Sequence, residues 1–186
     1  MSATGRSLAA ETGYVRHADD FYETPAWCTR AILPHLRRTD VVLDPCAGTG
    51  AILRAVRTSV PGVICKAIEL DPVRSYHAGI QCADALSPET LWPPATIVTN
   101  PPYALAMEFV LRALLETQGK RDAAFLLRLN WLASQKRAEF HKKHPSDIFV
   151  LPRRPSFTPD NRTDATEYAW LVWGPGRGNR WQILDV

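Results

Sequence analysis

The chain has 186 residues, 46% of them hydrophobic and 22% charged, which suits one globular domain with a full core. No apolar run approaches the ~20 residues of a membrane span. The first residues, to His17, lack the apolar centre of a signal peptide, and residues 1–18 read as a flexible arm. Cys28, Cys46, Cys65 and Cys82 form no Cys-x-x-Cys pair and have no histidine at ligand spacing. That argues against a metal site or a disulfide framework and fits a reducing cytoplasm. Net charge is +3 but unevenly placed. Residues 1–135 hold 13 Lys/Arg and 13 Asp/Glu, whereas residues 136–180 hold 9 and 5. The basic positions there, including Lys142, Lys143, Arg153, Arg154, Arg177 and Arg180, are where phosphate contacts would be sought.

In chain order, Thr24 reads as a helix cap with Pro25 in the first helical position. Trp27, Cys28, Ala31 and Ile32 follow at helical spacing, and Pro34 should kink or end the helix. Val41 to Leu43 is a short buried strand. It runs into Asp44-Pro45-Cys46-Ala47-Gly48-Thr49-Gly50 and then a helical stretch, Ala51 to Val56. A strand, a turn with two glycines and a helix start bring backbone close to a ligand. The pattern is neither Gly-x-Gly-x-x-Gly nor a phosphate-cradling loop with Lys-Ser/Thr, so a nicotinamide or a nucleotide phosphate is not the obvious guest.

Val63 to Leu70 reads as a second strand ending in Glu69, and a helix over 73–79 follows. Gln81 to Ala85 is a short third strand with Asp84 at its end. An acid about 20 residues past a glycine turn is where doubly wound folds bind ribose hydroxyls. Ala95 to Val98 is a fourth apolar strand, closed by Thr99-Asn100-Pro101-Pro102-Tyr103. Two prolines stiffen that turn and remove two donors. What remains is an Asn carboxamide, carbonyl acceptors and an aromatic face, which suits a planar group bearing an –NH2. Residues 104–117 form a helix that Gly119 ends, Ala123 to Leu129 a central strand, and 132–143 a polar helix. Asp147 to Leu151 and Glu167 to Trp173 are further strands, and Trp181 to Val186 has the look of a last edge strand. The 15-residue loop 152–166 is basic and long enough to suggest function.

Strands alternating with helices argue for a mainly parallel sheet with helices on both faces, whose ligands sit beyond the carboxyl ends of the strands. Asp44, Glu69, Asp84 and Asn100 all fall at such ends. Singly, each would pass as a cap; four in succession point to one site.

These residues resemble the motifs of S-adenosylmethionine-dependent amino-methyltransferases, most closely small phage-type DNA adenine-N6 methyltransferases. The resemblance runs in order over about residues 19–173. It implies one domain over 1–186 without a separate target-recognition domain. The implied fold is a seven-stranded, mainly parallel Rossmann-like sheet with its last strands antiparallel. It implies S-adenosylmethionine as cofactor. Phe21, Tyr22, Thr24 and Pro25 would line the methionine end, and Asp44, Pro45, Cys46, Gly48 and Gly50 would pack on the amino-acid part. Glu69 with Leu70 would hold the ribose, and Asp84 with Ala85 would read the adenine. Asn100, Pro101, Pro102 and Tyr103 would be the catalytic tetrad, with Asn100 also against the cofactor. Arg154-Pro155-Ser156-Phe157 would lie near the target base. Trp131 and Phe157 are candidate base neighbours with core packing as the alternative, and Arg153, Arg154 and Arg162 are expected on phosphates. DNA is the implied partner and no metal is required. Asparagine at the first tetrad position is shared with enzymes acting on RNA and on protein glutamine, so the tetrad specifies a planar amine and leaves its carrier open. A catalytically silent nucleic-acid-binding module of the same fold is the alternative from another class.

Overall fold

Apolar runs closed by polar residues become the strands of a single sheet in the computed structural model, which describes residues 23–75, 79–157, 165–178 and 180–186. The strands are β1 (Val41–Asp44), β2 (Ile64–Glu69), β3 (Ile80–Cys82), β4 (Thr96–Thr99), β5 (Ala123–Arg128), β6 (Asp147–Val150), β7 (Tyr168–Trp173) and β8 (Trp181–Ile183). The helices are α1 (Ala26–Ile32), α2 (Ala51–Ser59), α3 (Pro72–Ser75), α4 (Ala106–Thr117) and α5 (Gln135–Lys143). The strand order is β3-β2-β1-β4-β5-β7-β6-β8. β1 pairs in parallel with both β2 and β4, and β4 in parallel with β5, so the carboxyl ends of all four share one edge.

Period-two alternation sorts the central strands between two cores. Val42, Val98, Ala124, Leu126, Trp170 and Val172 face α1 and α2, whose Cys28, Ile32, Leu53 and Val56 are buried against them. Leu43, Ile97, Phe125, Leu127, Leu171 and Trp173 face the other way, onto Phe109, Val110 and Ala113 of α4. Both faces of the sheet are therefore covered, as the near-continuous apolar strands require. Among the described residues no helix is long and apolar enough to cross a membrane.

The sheet has eight strands where the resemblance implied seven; the expected last edge strand is β8, which adds to the edge of β6 with Ile148 opposite Trp181. Only β7 runs against the rest, since it is antiparallel to both β5 and β6 while β8 is parallel to β6. The helix expected to begin at Pro25 starts one residue later, at Ala26. Pro25 is extended at φ −57° and ψ 135° and makes no side-chain cap. The Thr24 hydroxyl accepts a hydrogen bond from Asn100 Nδ2 at 3.1 Å instead. Pro34 does end the helix, in a short 3-10 turn. β3 stops at Cys82, so Asp84 lies in the following turn, where its Oδ1 accepts the Leu86 amide at 2.9 Å.

Arg177 corrects the reading of the basic segment. Its side chain is buried, with Nε and Nη2 on Asp122 at 3.1 and 2.5 Å and Nη1 on Asp147 at 3.1 Å. Asp147 also accepts the Gly178 and Arg180 amides. This charge pins the 174–178 turn to the amino end of β5, the end opposite Arg128, and faces no solvent.

Candidate active site

Asp44 and Glu69 are the last residues of β1 and β2, and the turn after β1 is built on both. Glu69 Oε2 accepts the Gly48 amide at 2.7 Å and Oε1 accepts the Asp71 amide at 3.0 Å. Asp44 Oδ1 accepts the Cys46 amide at 3.1 Å and the Thr99 hydroxyl at 2.7 Å. Gly48 and Gly50 have φ of 54° and 84°, the left-handed region that favours glycine. Glycine there lets the turn fold back so that the Gly48 amide meets Glu69. The turn is closed over the top by Glu23, whose Oε1 accepts the Thr49 hydroxyl at 2.9 Å and also bonds Arg54.

Below this turn runs one cleft in two adjoining parts, which share Cys46 and Pro102. The first, about 550 Å³, is lined by Glu23, Thr24, Asp44, Gly48, Asn100 and Tyr103 among others. The second, about 540 Å³, is lined by Glu69, Asp84, Ala85, Leu86, Leu105 and Phe109, with Pro45 and Leu70 at its border. One part thus mixes polar and apolar groups and the other is a mostly apolar slot that includes two carboxylates, a composition typical of small-molecule sites. Asp44 and Glu69 are each 1% exposed. Burial pushes the Asp44 carboxyl up to about 7, with the Glu69 charge adding to the rise and the Thr99 and Cys46 bonds opposing it. A carboxylate poised there is stabilised by a cationic guest.

Asn100 follows β4 and closes the first part of the cleft. Its Nδ2 is spent on Thr24, while its Oδ1 is buried and has no hydrogen-bond partner among the described residues. An unmet buried acceptor costs about 1–3 kcal/mol, so this one is set for a donor that enters the cleft. The Pro102 carbonyl accepts the Leu105 amide at 3.0 Å. Tyr103 stands beside it with its hydroxyl on Tyr168 at 3.2 Å and the Arg128 guanidinium 4.6 Å over its ring.

Of the residues expected from sequence, Thr24, Asp44, Cys46, Gly48, Asn100, Pro101, Pro102 and Tyr103 line the first part of the cleft. Pro45, Glu69, Leu70, Asp84 and Ala85 line the second. Pro25 lies instead on a broader groove of about 1210 Å³ beside the cleft, with Arg30, Arg54, Ser156 and Phe157. Phe21, Tyr22 and Arg162 lie outside the described residues. Phe157 is 7% exposed and packs edge-on against Tyr168 at 5.1 Å, so it belongs to the core as much as to the groove. Trp131 is also 7% exposed and sits among Phe140, His141 and Trp173, away from the cleft. Arg153 stacks on Trp27 at 4.7 Å, and Arg154 donates twice to Glu167.

Sequence reasoning missed Glu23, Thr99, Arg128 and Tyr168. Arg128 offered the same signal as Asp44 and Glu69, a charge closing an apolar strand, but the apolar Leu129 after it blurred the strand's end. Tyr168 carried no such signal, because only the β5–β7 register sets it opposite Arg128.

No protein-family model matches the chain, and no curated protein matches it either. Solved structures share its fold. One is from Listeria monocytogenes, described as a class I S-adenosylmethionine-dependent methyltransferase. It has TM-score 0.65 and 15% identity over 96% of this chain and 70% of that one. Another is a type I restriction-modification methyltransferase subunit from Streptococcus thermophilus, with TM-score 0.64 and 16% identity over 88% of this chain and 47% of that one. A third, from Vibrio vulnificus, is described as a modification subunit of a type I restriction enzyme. Its TM-score is 0.63, with 17% identity over 94% of this chain and 48% of that one. The chain spans about half the length of these two subunits. At such identities the likeness is one of fold.

Proposed function

We propose that the chain transfers a methyl group from S-adenosylmethionine to the exocyclic N6 amine of adenine in DNA. The observation that carries this reading is the Asn100 Oδ1 at the head of Asn100-Pro101-Pro102-Tyr103, buried and without a hydrogen-bond partner among the described residues. It lines the same cleft that runs on to Glu69 and Asp84.

The donor set fits the cofactor. Glu69 closes β2 at the lip of the second part of the cleft, the strand-end position at which an acid suits ribose hydroxyls. Asp84 with Ala85, Leu86 and Phe109 makes an apolar slot with a polar rim, suited to an adenine ring. Buried Asp44, balanced near neutrality, suits the positive charge of the amino-acid end. When bound, S-adenosylmethionine supplies an electrophilic methyl group on a sulfonium.

The chain's own residues prepare the amine. An aromatic amine is a poor nucleophile because its lone pair is delocalised into the ring. Asn100 Oδ1 and the Pro101 carbonyl each accept one N–H, which draws the nitrogen toward tetrahedral and frees the lone pair. The prolines keep those acceptors fixed, so the bonds strengthen as charge develops and little reorganisation is needed. Tyr103 offers its ring to the base, a stack worth about 1–3 kcal/mol. Neither Asn100 nor Pro101 takes the proton, which leaves the methylated nitrogen for water. A target in duplex would have to leave its stack first. The groove that adjoins the cleft at Glu23, Thr24 and Ala51 and carries Arg30 and Arg54 is a fitting approach for a polyanion. The restriction-modification subunits among the similar folds support DNA as the polymer.

The test is to incubate the protein with methyl-labelled cofactor and with DNA or RNA, digest each to nucleosides and weigh them. A methyl on deoxyadenosine N6 is expected. Label only in RNA would move the substrate to RNA, and label in neither would leave the silent binding module.

A further inference from the structure

Tyr103 is gripped by a pair of residues to which the methyl-transfer reading assigns no part. Arg128 ends β5 and lies directly opposite Tyr168 in the β5–β7 pairing. Its guanidinium covers the Tyr103 ring at 4.6 Å, and its Nε donates to Tyr168 Oη at 3.2 Å. The same Tyr168 oxygen accepts the Tyr103 hydroxyl at 3.2 Å. Tyr168 is itself 1% exposed and wedged against Phe157. The three side chains therefore close a triangle, two hydrogen bonds and one cation–π contact, that fixes both the tilt and the position of the Tyr103 ring. Tyr103 lines the cleft and Arg128 does not, so the guanidinium lies on the ring without filling the cleft.

An aromatic ring at the mouth of a cleft has χ freedom that it would have to lose when a guest stacks on it. Paying that cost during folding leaves more of the stacking energy for the guest. A ring fixed in this way serves a planar heterocycle, and has little to offer the flexible amide of a glutamine side chain. We infer that Arg128 and Tyr168 are positioning residues that preset the Tyr103 ring for a nucleobase. The inference rests on the methyl-transfer reading and narrows its guest to an aromatic amine.

A double-mutant cycle tests it. Arg128→Met, Arg128→Lys and Tyr168→Phe are made in the wild-type and Tyr103→Ala backgrounds. Oligonucleotide affinity is measured with S-adenosylhomocysteine present, alongside cofactor affinity and melting temperature. Arg128→Met should weaken oligonucleotide binding roughly tenfold in the wild-type background and less than about twofold in Tyr103→Ala. Cofactor affinity should hold, and Arg128→Lys should restore part of the loss. The same tenfold loss in both backgrounds would mean that Arg128 acts on the nucleic acid directly, which overturns the inference alone. Equal binding by wild type and Arg128→Met would also overturn it. A wild-type protein that binds neither DNA nor RNA would overturn the underlying reading and this inference with it.

Discussion

Replacing Asp44 by Asn should stabilise the protein, and only at the upper end of the pH range. The carboxyl is 1% exposed, and burial raises it from its ordinary 3.8 to about 7. A folded-state value above the unfolded one means that the group's stabilising contribution is complete below about pH 4. It is lost as pH rises through about 7. The rise from 3.8 to about 7 corresponds to about 4 kcal/mol, of which roughly 3 kcal/mol falls between pH 5 and pH 8.5. Asparagine is neutral throughout and its Oδ1 can still accept the Cys46 amide and the Thr99 hydroxyl. The melting temperature of Asp44→Asn relative to wild type should therefore climb by roughly 5–10 °C from pH 5 to pH 8.5. Calorimetric or fluorescence melts without ligand would read it. In the same series, wild-type affinity for S-adenosylmethionine should increase as pH passes through about 7, whereas the variant should show a flat profile. A melting difference that is constant with pH would refute the claim that a strained buried charge sits at this end of the cleft.

Glu69→Gln should weaken S-adenosylmethionine binding about 10–100-fold by calorimetry, the size of a lost charged hydrogen bond; unchanged affinity would remove its ribose role. Arg177→Met removes the buried guanidinium that both Asp122 and Asp147 bond, so unfolding titrations should show a loss of about 3–5 kcal/mol. Cofactor affinity of the folded fraction should stay as in wild type, because the residue lies at the far end of the sheet. Replacing Arg153 and Arg154 with Gln should reduce the slope of log affinity for DNA against log salt by up to about 2. An unchanged slope would mean that their contacts with Trp27 and Glu167 are their whole role.

The site was legible where the residue's neighbours in sequence settle its place. Asp44, Glu69 and Asn100 each close an apolar run, and a polar group ending a buried parallel strand has one edge to occupy. The same logic failed where a long-range partner decides. Thr24-Pro25 reads as a helix start, yet the Thr24 hydroxyl is claimed by Asn100, 76 residues away. Arg177 in a glycine-rich turn reads as solvated until Asp122 and Asp147, 55 and 30 residues away, bury it. β3 ended earlier than its apolar pattern suggested because Asp84 turns the chain by bonding the Leu86 amide. The Arg128–Tyr168 pair is set by strand register, which single-sequence periodicity does not encode. The last edge strand expected over 181–186 is there as β8, shorter than expected; what differed was the count of seven strands that the resemblance implied.

The central claim is that Asn100 Oδ1 receives the amine that is methylated. The direct measurement is tritiated-methyl transfer to DNA by Asn100→Ala beside wild type, with S-adenosylmethionine affinity determined on both. Loss of transfer by at least about a hundredfold, with cofactor affinity within a few-fold of wild type, is the predicted result. Undiminished transfer by Asn100→Ala would contradict it.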